Sequence, residues 1–139
     1  MSADREPDCL FCKIVAGEIP ATIIAEDERT VAFMDINPAT RGHALVIPRA
    51  HARDLHEIDT DALKAVAATA QTVAARAVQR LGAAGVNLLN SNGSAAWQTV
   101  FHFHMHVIPR YPGDPLRLPW NPAQGDMEDI AAAGAQLKQ

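Results

Sequence analysis

A chain of 139 residues is long enough to bury one hydrophobic core and is expected to form a single domain. Hydrophobic residues make up 48% of it, yet no unbroken apolar run approaches the length that crosses a bilayer, which excludes a membrane-spanning helix. The formal net charge of −4, without a basic cluster, argues against a protein that holds nucleic acid by neutralising its backbone.

The start, "MSADREPDCLFC", is charged and polar and lacks the basic beginning and apolar stretch of a secretory signal, so the expected location is the cytoplasm. Cys9 and Cys12 are the only cysteines. A lone Cys-x-x-Cys in that compartment reads as a redox pair or as half a metal site, with two unpartnered thiols as the plain alternative. Pro7 and the short apolar turn around the pair favour half a metal site. "CLFCKIVAGE" predicts a short helix ending at Gly17, with Leu10, Phe11, Ile14 and Val15 grouped at helical spacing.

"ATIIAED" and "TVAFMDI" are apolar runs rich in β-branched residues, and the charged turn between them predicts a hairpin. A turn-rich loop from Asn37 to Gly42 leads to a third strand, "HALVIP". The spacing of Leu63, Val66, Ala70, Val73, Ala77 and Leu81 predicts a long helix over 60–81, capped by Thr60 and ended by Gly82. Its many alanines suit close approach to a sheet or to a second copy. "GVNLLNSNG" is a fourth strand running into a polar loop, and "VFHFHMHVI" is a fifth. Beyond Arg110 the chain is proline-rich, with a short helix near "MEDIAAAGAQL". The expected organisation is a domain over 1–110 and a tail over 111–139 packed on the domain or on a partner. The fold class is α+β, a five-stranded mainly antiparallel sheet with one short and one long helix.

Within "QTVFHFHMHVIPR", His102, His104 and His106 alternate with Phe103, Met105 and Val107. Alternate residues of a strand share a face, so this spacing sets three imidazoles in a row with apolar side chains opposite. A solvated polar row explains one histidine better than three. Two chemical readings remain. Paired strand histidines with a remote third can hold zinc and activate water. A neutral imidazole can instead attack phosphorus, with its other nitrogen held by an acceptor. The donors of "NSNGS", Gln98 and Thr99 immediately before the ladder favour phosphorus chemistry.

The sequence resembles the histidine triad (HIT) hydrolases and transferases. The likeness runs from "CLFCKIVAGEIPATIIAED" through "FMDINPATRGHALVIPRAH" to the ladder itself. "IVAGEIPA" and "GHALVIP" look most like the nucleoside phosphoramidase branch. "PRYPGD" is also similar to the branch that cleaves dinucleoside polyphosphates. The resemblance implies that His104 is the nucleophile, forming a nucleotidyl-imidazole that water hydrolyses. It implies that a ladder carbonyl and His43 orient His104, and that His106 and Thr99 stand by the leaving group. Asn92, Gln98 and Thr99 are candidates for holding the α-phosphate. Asp35 matches a ribose contact, its plainer reading being a turn carboxylate, and Leu10, Phe11, Ile14, Phe33, Ile36 and Leu45 are candidates for enclosing the base.

Related proteins with this Cys-x-x-Cys hold a structural zinc, which here would use Cys9, Cys12, His51 and His102; no catalytic cofactor is implied. Trp97 departs from the family, which commonly has glycine before the glutamine. Trp120 would be a surface anchor or reach a partner's site, and His56 would be solvated. The expected substrates are purine nucleotide conjugates, the expected assembly a homodimer, and neither nucleic acid nor membrane is an expected partner. The rivals are a dinucleoside polyphosphate hydrolase, a nucleotide-binding regulatory module and a zinc hydrolase.

Overall fold

The computed structural model describes residues 5–138. In chain order it has α1 (Leu10–Val15), β1 (Ile23–Glu26), β2 (Thr30–Met34), β3 (Ala44–Pro48), α2 (Thr60–Leu81), β4 (Gly85–Leu89), a single 3-10 turn (Ser94–Ala96), β5 (Met105–Arg110) and α3 (Met127–Leu137). The five strands form one sheet in the order β1-β2-β3-β5-β4, each neighbouring pair antiparallel, as the α+β reading predicts.

Alternation along the central strands divides the core in two. Ala32, Ala44, Val46, Phe103 and Val107 meet Val66, Ala70 and Val73 of α2 on one face. Val31, Phe33, Leu45 and Ile47 meet Phe11 and Ile14 of α1 on the other. Alanine on α2 and on the sheet lets helix and strands approach closely. Each fully buried valine or phenylalanine contributes about 1.5–3 kcal/mol through the apolar surface it removes from water. Between the layers, the hydroxyls of Thr30 and Thr69 hydrogen-bond at 2.7 Å, so neither is left unpaired.

Local chemistry sets the element ends. In the β1–β2 turn, Asp27 Oδ1 accepts from the N–H groups of Arg29 and Thr30, both at 2.8 Å, and these bonds hold its carboxyl below the usual range. The cap of α2 is Asp59, which accepts from the Ala62 N–H at 3.3 Å; the predicted cap, Thr60, is instead the first helical residue. A carboxylate at that position also faces the positive end of the helix, which a threonine hydroxyl cannot exploit. Gly82 ends α2 in the left-handed conformation.

β5 is shorter than the sequence predicts, beginning at Met105 instead of Val100. The backbone N–H of Phe103 is bonded at 2.7 Å to the carbonyl of Ala52, a loop residue, so this stretch leaves the sheet before the strand starts. His102 and His104 therefore precede the strand, and only His106 lies within it. At the end of β5, Arg110 grips Asp114 with two bonds of 2.8 and 2.7 Å, and the hydroxyl of the next residue, Tyr111, donates to the Arg41 carbonyl at 2.7 Å. The predicted tail helix is α3, capped by Asp126, and every residue of it is exposed. Among the described residues no helix is long and apolar enough to cross a membrane.

Candidate active site

Cys9 and Cys12 stand at the N-terminal end of α1, where the Cys9 sulfur accepts from the Cys12 N–H at 3.3 Å. Two histidines distant in sequence meet them. His102 Nδ1 lies 3.3 Å from Cys9 Sγ and 3.5 Å from Cys12 Sγ, and His51 Nδ1 lies 3.4 Å from Cys12 Sγ. One ligand atom from each of the four residues falls within 4.8 Å of the others. Tetrahedral zinc with thiolate and imidazole ligands needs separations of roughly 3.3–3.8 Å between ligand atoms, so the set fits that ion. His102 Nε2 donates to the Pro48 carbonyl at 2.8 Å, which fixes the ring and leaves Nδ1 with its lone pair towards the sulfurs. Burial pushes the Cys12 thiol up to about 11. A bound cation is what would favour its thiolate.

The remaining triad histidines face a different environment. His104 is buried, and its Nδ1 donates to the carbonyl of His102 at 2.7 Å. A carbonyl only accepts, so Nδ1 carries the proton and Nε2 is an unprotonated nucleophilic nitrogen. Burial holds the ring below the ordinary histidine value and so in this neutral form. The Phe11 ring stands edge-on to His104, with centroids 5.2 Å apart and planes at 89°, and limits its rotation.

His106 is tied to a second chain of bonds. The Ala39 N–H donates to His43 Nδ1 at 2.9 Å, which requires the proton of a neutral His43 to sit on Nε2. That nitrogen is 2.9 Å from His106 Nδ1 and donates to it, so His106 carries its own proton on Nε2. His104 and His106 thus expose opposite chemistry, a lone pair on one and an N–H on the other, with ring centroids 5.0 Å apart. Burial pushes His106 down to about 4, assisted by His104 and His43, and burial lowers His43 against the pull of Asp35. Asp35 Oδ2 lies 3.5 Å from His43 Nε2. Asp35, His43 and His106 form a second ligand-rich group, but two nitrogens 2.9 Å apart and already sharing a proton are a hydrogen bond, closer than two imidazole ligands on one ion.

A cleft of about 370 Å³ opens beside these rings, within the size range of small-molecule sites. His104, His106, Thr99 and Asp35 line it, together with Leu10, Phe11, Ile14, Phe33, Ile36 and Leu45. The structure therefore gathers these ten residues from α1, β2 and the loop after it, β3, the ladder and the loop before it. Ile36 is 90% exposed and stands at the lip, whereas Phe11 and Phe33 are buried in the wall. Asp35 Oδ1 accepts from the Asn37 N–H at 2.7 Å, the plainer of its two readings, while Oδ2 has no hydrogen bond of its own among the described residues and lies 3.5 Å from His43 Nε2.

Three sequence expectations read differently. Gln98 is buried, with Oε1 accepting from the Gly93 N–H and Nε2 donating to the carbonyls of Arg53 and Val100. Asn92 likewise spends its amide, accepting from the Leu55 N–H and donating to Asn90 Oδ1. Neither side chain lines the cleft, and both build the loop that holds Thr99. His43 bonds to His106 and not to His104. Asn90, read from the sequence only as one donor of the polar loop, has a more specific place: its Nδ2 donates to the His104 carbonyl at 2.9 Å and fixes the backbone carrying the ring. Its position inside the polar loop was the available signal. Trp97 and Trp120 are exposed, at 64% and 62%, and His56 is exposed as expected.

The model described as "HIT domain" matches residues 16–113. The chain is 46% identical over 110 residues to the Methanocaldococcus jannaschii uncharacterized HIT-like protein MJ0866, covering 76% of this chain and 81% of that one. It is 37% identical over 115 residues to adenylylsulfatase HINT3 of Arabidopsis thaliana, covering 83% of this chain and 58% of that one. Among solved structures, SMU.412c of Streptococcus mutans UA159 superposes with a TM-score of 0.91 at 36% identity, over 99% of this chain and 87% of that one. A zinc-bound histidine triad family protein of Mycobacterium smegmatis superposes with a TM-score of 0.77 at 44% identity, over 94% and 95% of the two chains.

Proposed function

The chain belongs to the HIT domain family, and from that premise we propose that it cleaves a nucleoside 5′-monophosphate from a phosphoramidate or similar conjugate through a covalent intermediate on His104. The observation that carries this reading is the hydrogen bond from His104 Nδ1 to the His102 carbonyl, because it leaves Nε2 as a neutral nucleophile in a cleft that also presents the His106 N–H. That a relative is named an adenylylsulfatase supports chemistry at a nucleotide phosphorus.

In this mechanism His104 Nε2 attacks the α-phosphorus, the P–N bond breaks, and the amine nitrogen takes a proton from water as it leaves. The hydroxide so formed, or its equivalent in water, then attacks the nucleotidyl-imidazole and restores His104. Splitting one displacement into two lets a single set of donors stabilise both transition states. His106 acts as a neutral donor to the leaving atom, since His43 occupies its second nitrogen. The apolar side chains Phe33, Ile36 and Leu45 would enclose the base, with Asp35 Oδ2 accepting from ribose hydroxyls. Cys9, Cys12, His51 and His102 would hold zinc as a closed structural site, tying α1 to the segment that carries His104.

Charge favours an amine over a nucleotide as leaving group. A second groove, of about 570 Å³, shares Leu10, Thr99 and Val100 with the cleft and is lined by Glu6, Asp8 and Glu57. Its one arginine, Arg53, is already paired with Asp54 at 3.1 Å and Glu57 at 4.0 Å. A departing polyphosphate would meet repulsion there. The reading includes a homodimer in the cytoplasm: Leu88 on the edge strand and Val78 on α2, 50% and 48% exposed, are apolar surface that a second copy would cover.

The decisive test is acid-quench mass spectrometry with adenosine and guanosine phosphoramidates. A gain of one nucleotide on the His104 peptide, absent in His104→Ala, is the expected result. Turnover that survives His104→Ala undiminished would rule the mechanism out.

A further inference from the structure

We infer that Cys9 and Cys12 form a peroxide-sensitive latch on the cleft, closing to a disulfide that dismantles the four-ligand cluster and loosens the wall beside His104. The inference rests on the metal and nucleotide readings proposed above. The two sulfurs differ in access. Cys9 is half-buried and lines the groove of about 570 Å³ together with His51, whereas Cys12 is buried at 2% exposure. Both sulfurs and both imidazole nitrogens lie within 4.8 Å of one another. A reachable sulfur with a second one poised behind it is the arrangement of an attacking and a resolving cysteine. Backbone N–H groups already face both, from Cys12 to Cys9 Sγ at 3.3 Å and from Glu6 to Cys12 Sγ at 3.5 Å. Such donors favour thiolate, as does a bound cation. In a reducing compartment a pair of this kind is oxidised only transiently, which suits a switch and not a staple.

The chemistry balances with a peroxide as oxidant. The Cys9 thiolate attacks one peroxide oxygen, the O–O bond breaks, and a sulfenic acid and hydroxide result. The Cys12 thiolate then attacks the Cys9 sulfur, the S–O bond breaks, and a second hydroxide leaves. Two thiolates have lost two electrons and the peroxide has gained them. Joined sulfurs lie about 2.05 Å apart, against roughly 3.8 Å for two thiolates on one tetrahedral ion, and they keep no charge for a cation. His51 and His102 are then two ligands where a closed site needs four. The contraction reaches the cleft because the pair brackets part of its wall. Leu10 and Phe11 lie between the two cysteines in sequence, and both line the cleft. The Phe11 ring stands edge-on to His102 and His104, with centroids 5.9 and 5.2 Å away. His102 turns Nδ1 to the sulfurs, 3.3 Å from Cys9 Sγ, and its carbonyl accepts from His104 Nδ1 at 2.7 Å. One residue therefore bears on the thiol pair and on the bond that sets the nucleophile's tautomer.

The test treats the full chain, reduced and loaded with zinc, with hydrogen peroxide. Three results are expected: zinc passes to a chromogenic chelator, the peptide holding Cys9 and Cys12 loses about 2 Da, and adenosine 5′-monophosphate (AMP) binds about tenfold more weakly by calorimetry. Dithiothreitol with zinc should reverse all three. Cys9→His keeps a ligand at that position without a sulfur, so its zinc and its AMP affinity should survive the same treatment. Zinc retained with both thiols intact overturns the inference, as does a disulfide that leaves AMP affinity unchanged, or oxidation to sulfinic acid with no disulfide. A reduced chain that holds no zinc sinks the metal reading alone, since the mass shift and the AMP affinity still decide the latch. If AMP binds neither form, the nucleotide reading fails, and the latch stands or falls on whether disulfide formation shifts the NMR signals of the His104 ring.

Discussion

His43 and His106 share one proton across 2.9 Å, and the Ala39 N–H decides which way it points. Because Ala39 donates to His43 Nδ1, His43 has no neutral form in which Nε2 can accept. His106 is thereby confined to the tautomer with its N–H free, and a second proton on its Nδ1 would collide with the His43 donor.

Removing that restraint should be visible in kinetics. His43→Ala is expected to lower kcat/KM by about 10- to 100-fold, less than the roughly 100- to 10,000-fold of a positioned acid or base itself because His43 acts through His106, with the larger loss for the more basic leaving amine. It should also move the acid limb of the pH profile towards the ordinary histidine value of about 6.5, because His106 becomes free to protonate at both nitrogens. A profile whose shape is unchanged in the variant would show that His43 does not constrain His106.

Stability should follow the same groups. His106 is pushed down to about 4 in the folded chain, and His43 is lowered too, whereas both titrate near about 6.5 when unfolded. Between those values the unfolded chain binds more protons, so stability falls as pH is lowered through that window and is fully present above it. Urea midpoints at pH 7 and pH 5 test this. A midpoint that does not fall at pH 5 contradicts the burial argument.

Metal content separates a structural from a catalytic ion. One zinc per chain is expected, and Cys12→Ser should bind none. Stripping the metal should lower Tm, because a bound ion that prefers the folded state stabilises it. Loss of turnover at an unchanged Tm would instead indicate that metal performs the chemistry.

Gly42 has φ +88, and a Cβ there would lie 2.6 Å from Leu81 Cδ1 and 3.2 Å from Pro109 Cγ. Gly42→Ala is expected to destabilise the fold by about 1–3 kcal/mol through strain and crowding, measured by chemical denaturation. Since position 42 immediately precedes His43, activity should fall with it. A variant as stable as the wild type would contradict the tight contact with α2 and β5.

Much of this arrangement was legible in residue spacing. Strand alternation in β2 and β3 gives their two faces, and the apolar repeat of α2 gives its length. Spacing alone sets the three histidines in one row, and the structure divides them in the way the resemblance implies. His102 serves the thiols, His104 stands against a carbonyl, and only His106 lies in regular β structure. The cause is tertiary: the Ala52 carbonyl captures the Phe103 N–H, and no local pattern encodes that partner. The same limit explains Gln98 and Asn92. A polar side chain in a glycine-rich loop is equally suited to a ligand and to the loop's own backbone, and the sequence does not state which is nearer. The ladder carbonyl that the resemblance expects beside His104 is that of His102, whereas the groups that fix His43 and His102, the Ala39 N–H and the Pro48 carbonyl, belong to the main chain and leave no side-chain signature.

α1 spans six residues, yet its sulfur-bearing end joins the cluster of Cys9, Cys12, His51 and His102 while Leu10, Phe11 and Ile14 line the cleft. Just upstream, Glu6 donates its N–H to the Cys12 sulfur and Arg5 pairs with Glu18. Substitutions within residues 5–9 are accordingly expected to disturb the cleft wall together with the cysteine pair.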